Sequence, residues 1–241
     1  MSYSFQRAAL YNDEGIAALI KGDEAAAIAG MIKAMGILKA CSSCGSTTSR
    51  GKQWFGGREN NRTQELRITT TTTIKIPTLE SFDSIAFDQA VRLPSDLVEP
   101  SDDDITLYLA VVIFNMALAL HHAAAASESI SRTMKMMTKA EKLYAMVSRR
   151  LLNDCTFFGT CSHTVLLVKL ACVGNLTQIY NSRGDYKGAS RDRRQVLSWF
   201  TSTSTRQSSL LNQKILVDPK IQSVILLILL VQSPVVAGAA Q

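Results

Sequence analysis

Between Tyr11 and Lys39, apolar and small residues recur at helical spacing on both sides of one break, Gly22-Asp23. Tyr11, Gly15, Ala18 and Leu19 share a face of a helix ending at Lys21, and Asp23 caps a second helix running to about Ala40. Gly22 supplies the flexible turn between them. The same arrangement returns later, where helices predicted over 164–183 and 186–200 flank Gly184-Asp185. Between the two pairs, Ser101 is a candidate N-cap, with Asp102, Asp103 and Asp104 in the first turn, where carboxylates favour the positive end of the helix dipole. The helix it starts runs over 102–126. A partner helix over 128–152 carries Ile130, Met134, Met137, Leu143 and Met146 on its apolar side.

The remaining segments break the helical period. Residues 41–64 are rich in Ser, Thr, Gly, Arg and Asn and predict an exposed loop, on which Trp54 and Phe55 are candidates for docking back. LRITTTTTIKIP is dominated by β-branched residues and closed by Pro77, which predicts a strand over 68–76. SFDSIAFDQAVRLP reads either as a second extended piece or as a short helix before Pro94. The apolar stretch 210–231 suits a cap on an open end of a helical stack, and Val224–Val231 is a candidate strand partner for 68–76. The organisation expected is a hairpin over 1–40, an insert over 41–100, hairpins over 101–152 and 162–201, and a capping segment with a tail over 202–241.

Internal repetition then decides the fold class. Aligning Gly22 on Gly184 places Asp23 on Asp185, Ala27 on Ala189, Gly15 on Thr177, Ala18 on Tyr180 and Tyr11 on Val173. With these positions the chain resembles the tetratricopeptide repeat family. The third hairpin carries Asn175-Leu176, Tyr180, Gly184-Asp185-Tyr186 and Ala189. The first carries Tyr11, Gly15, Ala18, Gly22-Asp23, Ala27, Met31 and Ala34. The middle hairpin offers Phe114-Asn115-Met116-Ala117, Leu120, Met137 and Ala140, with four extra residues in its turn. Arg193 and Val196 depart from the aromatic and Ala of the pattern, and the closing proline is missing after the first and third hairpins.

The resemblance implies an all-α, antiparallel helix-hairpin array (an α-solenoid), in which small residues let helices approach closely. It also implies a concave surface made by the first helix of each hairpin, here Asn12, Ile16, Asn115, Leu118, Asn175, Gln178 and Asn181. Members of the family that hold a chaperone's carboxylate tail place Lys and Arg on that surface. This chain has Asn12, Ile16, Ala171 and Asn175 instead, so that ligand is not expected. The expected function is a non-enzymatic scaffold that binds a peptide or protein partner in the groove, without a cofactor.

Composition narrows the alternatives. The chain has 241 residues, 46% of them hydrophobic, enough for one domain or a short repeat array with a substantial core. The formal charge of +6 is uneven: 11 basic against 15 acidic residues over 1–130, but 12 against 4 over 131–200. Arg183, Lys187, Arg191, Arg193 and Arg194 concentrate this excess around the third turn. They supply a second reading, contact with nucleic acid or another acidic ligand. Interleaved aromatics for base stacking are not evident there, so nucleic acid is the less favoured partner.

Five cysteines, an odd count, without a signal-like start predict reduced thiols and a cytoplasmic or nuclear chain. Cys41-Ser-Ser-Cys44 has no recognisable second ligand pair for zinc. His121 and His122 are helical neighbours about 100° apart around the axis and do not share a metal-binding face. His163 near Cys161 completes no catalytic set, and GSTTSRGK lacks the strand and helix a phosphate loop requires. The run Val224–Val231 is far shorter than the roughly 20 residues of a membrane span. No catalytic residue, metal or membrane partner is therefore expected.

Overall fold

The computed structural model describes residues 2–44, 73–75, 85, 87–94, 102–151 and 163–203. The described residues are mostly helical: α1 (Ser2–Ile20), α2 (Glu24–Cys44), α3 (Asp102–Ala125), α4 (Ile130–Met146), α5 (His163–Ser182) and α6 (Tyr186–Thr203). Two short strands, β1 (Thr73–Lys75) and β2 (Gln89–Val91), form an antiparallel pair with Thr73 opposite Val91 and Lys75 opposite Gln89. The chain divides into two units. One holds α1–α4, β1 and β2; the other holds α5, α6 and the segment ending at Phe87.

The two Gly-Asp turns are built alike. Gly22 has φ 76° and Gly184 φ 72°, a left-handed conformation that costs glycine nothing. In the first turn the Gly22 N–H donates to Leu19 O and the Asp23 N–H to Ala18 O; in the second, Gly184 donates to Asn181 O and Asp185 to Tyr180 O. These are the paired bonds of a Schellman helix end, which satisfy the last carbonyls of α1 and α5. Each aspartate then caps the next helix, with Asp23 Oδ1 accepting from the Ala26 N–H and Asp185 Oδ1 from the Gly188 N–H.

Ala27 and Ala189, three residues into α2 and α6, are both buried, so the alignment drawn from the turns extends into the packing. In the first hairpin the helices cross closely with glycine against glycine. A Cβ on Gly30 would stand 2.9 Å from Tyr11 O and 3.1 Å from Gly15 Cα. Across the same pair Lys33 of α2 lies over the Tyr11 ring at 5.4 Å, and Arg7, on α1 itself, lies over that ring at 6.0 Å.

In the first unit α2 packs on both α1 and α3, and α4 packs on α3. Residues 110–119 of α3 are buried all round, as an unbroken apolar helix must be. Residues 104–125 contain only one charged side chain, Asp104, and by length and composition alone this helix could cross a bilayer; most of it is buried inside the protein. It is a longer uncharged apolar run than Val224–Val231.

Several expectations change. α1 begins nine residues before Tyr11, because Phe5, Ala8 and Ala9 continue its buried stripe. α2 runs through Cys44, so the Cys41-Ser-Ser-Cys44 motif sits on the last helical turn rather than in a loop. On α4 the buried stripe is Met137, Ala140 and Tyr144, continued by Val147 and Ser148; Ile130 and Met134 are exposed. The predicted helix over 128–152 ends as a π-helical turn, Val147–Leu151. The partner of β1 is β2, which settles Gln89–Val91 as extended. Val224–Val231, Trp54, Phe55, Cys155 and Cys161 lie outside the described residues.

Candidate functional site

The asparagines of the first helices do not line an open surface: Asn12, Asn115 and Asn175 are all fully buried. A buried carboxamide is costly unless its donor and acceptor are both met. Here they are met by extended main chain from the insert. In the first unit Asn115 Oδ1 accepts from the Val91 N–H at 2.9 Å, and Asn115 Nδ2 donates back to Val91 O at 2.7 Å. Asn12 reinforces the pair, its Nδ2 donating to the same Val91 O at 3.2 Å and its Oδ1 accepting from Asn115 Nδ2 at 2.9 Å.

Such a two-way bond is what a neighbouring strand would offer one residue. Antiparallel pairing alternates the residues whose N–H and C=O face a given side. With Val91 turned to Asn115, the β1 ladder falls to Ala90 opposite Ile74. β2 is thus held on one edge by a strand and on the other by helix-borne carboxamides. The second unit repeats the device. Asn175 Oδ1 accepts from the Phe87 N–H at 2.8 Å and Asn175 Nδ2 donates to Phe87 O at 3.1 Å.

The side chains of the held residues are enclosed as well. Phe87, Ala90, Val91 and Leu93 are buried. Arg92 reaches Asp13 of α1, Nε to Oδ1 3.7 Å, an ion pair too long to be a hydrogen bond. Burial holds the Asp13 carboxyl above its usual range, against the opposing pull of Arg92.

Of the other residues expected on the groove, Ile16 and Leu118 are fully buried core. Gln178 and Asn181 are partly exposed, and Asn181 Nδ2 is enclosed without a hydrogen-bond acceptor. The basic cluster is partly neutralised: Arg191 pairs with the buried Asp192 at 3.4 Å and lies 5.9 Å over the Tyr180 ring. Arg183 and Arg193 are partly buried, which leaves Lys187 and Arg194 as its other exposed cations.

Phe87, Val91, Arg92 and Asp13 are the site residues that sequence reasoning missed. The available signal was FDQAVRLP itself, a short extended-compatible segment ending in Pro94.

No chemistry assembles elsewhere among the described residues. Cys172 is fully buried and its thiol is pushed well above the ordinary range, which removes it as a nucleophile. His121 is fully enclosed, neither ring nitrogen has a partner, and its ring meets Tyr144 edge-on at 6.0 Å. Burial, with a smaller contribution from His122, lowers its pKa to about 3. No three His, Cys, Asp or Glu side chains among the described residues come together as metal ligands.

The helices and their asparagines define an all-α protein of helical hairpins whose buried carboxamides hold extended main chain. Compared with known families, curated proteins and solved structures, the chain matches none.

Proposed function

We propose that this protein is a non-enzymatic protein-interaction module, a degenerate tetratricopeptide-like array whose first helices bind an extended peptide through its main chain. The observation that carries the reading is the paired carboxamide grip, Asn115 on Val91 and Asn175 on Phe87. Main-chain recognition of this kind is how extended peptides add to a sheet edge: backbone bonds supply affinity and neighbouring side-chain sites supply selectivity. The repeated Gly-Asp turns, with their matched caps, support the repeat assignment. The pairing of Arg191 with Asp192 makes the basic third hairpin a weaker candidate for an acidic ligand.

A displayed random-peptide library selected on the full chain tests the proposal. Peptides enriched on the unaltered protein are expected to lose retention about tenfold or more on Asn115→Ala or Asn175→Ala, since each removes two backbone bonds. Enrichment of no peptide, or equal retention by chains that stay helical, would count against it.

A further inference from the structure

Apart from their bond to each other, Asn12 and Asn115 hydrogen-bond the held segment only through the Val91 main chain, so they do not choose a sequence; the groups beside them do. Ala90 and Val91 are fully enclosed and Leu93 nearly so. Arg92, between two enclosed aliphatic residues, keeps a side chain 48% exposed and places Nε 3.7 Å from Asp13 Oδ1. Asp13 follows Asn12 on α1, and its Oδ1 is shut away from solvent with no hydrogen bond. A desolvated carboxylate oxygen without a donor favours a cation in front of it. The same face therefore offers backbone partners, room for a small and two aliphatic side chains, and one acceptor of positive charge.

Given the peptide-binding reading, we infer that the α1–α3 face selects a partner chain carrying an extended small–aliphatic–Arg–aliphatic segment, which replaces Ala90-Val91-Arg92-Leu93 on Asn12, Asn115 and Asp13. The native segment is a template for the ligand because it shows which side chain each position takes. It is also a competitor. Being tethered, it is present at a high effective concentration, and apparent affinity for an incoming peptide falls by the fraction of time the face is free. An incoming strand gains a second neighbour as well, since β1 is ready to pair along its other edge.

The test titrates two fluorescein-labelled peptides by anisotropy into the full chain. One has the sequence Phe87 to Pro94, and the other is identical except for Arg92→Glu. Two chain variants loosen the native segment: Arg92→Glu, which sets a carboxylate against Asp13, and Val91→Pro, which lacks the N–H that Asn115 accepts. Circular dichroism checks that both stay helical, and the surface substitution carries the test if the proline unfolds the unit.

The native peptide is expected to bind the loosened chains about tenfold or more tighter than the unaltered chain, and the Glu peptide at least about tenfold more weakly than the native one. Equal binding of the two peptides would overturn the selectivity and leave main-chain recognition standing. Equal affinity of altered and unaltered chains would overturn the replacement of the native segment. If neither peptide binds any helical chain, both the inference and the peptide-binding reading are overturned.

Discussion

Asparagine is the side chain that can answer an extended residue's N–H and C=O together while fitting between packed helices. Leucine, of similar branching, at position 115 would strand the Val91 N–H and leave its carbonyl to Asn12 alone, and aspartate would lose the donor and face a carbonyl with negative charge. Another buried polar residue, His121, has no such partners, and its consequence is pH dependence. Its folded pKa of about 3 lies below the unfolded value of 6.5, so the folded state binds fewer protons in the interval between them.

The His121 contribution to stability is therefore nearly complete at pH 7 and is lost as pH drops from there toward 3. Between pH 7 and 5 the loss is about 2 kcal/mol. Urea unfolding at the two pH values should show that loss in the natural chain and a correspondingly smaller one in His121→Leu; equal losses would contradict it. At this scale the asparagines were legible as polar residues on first helices. Their burial was not, because the main chain they hold lies 79 and 88 residues away for Asn12 and Asn175, beyond any local pattern.

Among the elements, the α1–α2 pair depends on the absence of side chains at its crossing. Gly30→Ala gains about 1 kcal/mol of helix propensity but presses a Cβ onto the backbone of α1, for a net destabilisation of about 2 kcal/mol. Gly36→Ala, on the same helix with nothing within 4 Å of its Cβ, should stabilise by about 0.5–1 kcal/mol. Opposite shifts of the two denaturation midpoints would support the close crossing, and equal shifts would contradict it.

Local devices such as the Gly-Asp turns were readable because the Schellman bonds and aspartate caps are written within six residues. The stripe on α4 was not. Ile130-Met134 and Met137-Ala140-Tyr144 are both regular helical patterns, and only the position of α3 decides that the second is covered. α2 passes into Cys44 because Cys41-Ser42-Ser43-Cys44 contains no helix breaker, the first glycine coming at Gly45.

For the whole molecule, the first unit is organised around a helix, α3, that is buried on every side at its centre, with Asn115 as the polar residue set there to hold β2. The second unit holds Phe87 by the same chemistry. The excess of basic residues over 131–200 is a property of sequence that the fold partly spends on internal pairing, at Arg191 with Asp192.

Two carboxamide grips on extended main chain are the feature from which the proposed peptide-binding role is drawn, and amide hydrogen exchange of the full chain reads them directly. The Val91 and Phe87 amides should exchange slowly although neither N–H enters the β ladder. Asn115→Ala should speed exchange at Val91, and Asn175→Ala at Phe87, by about tenfold or more with the helices still protected. Fast exchange at both amides in the natural chain, or protection unchanged by the substitutions, would contradict the grip and the function built on it.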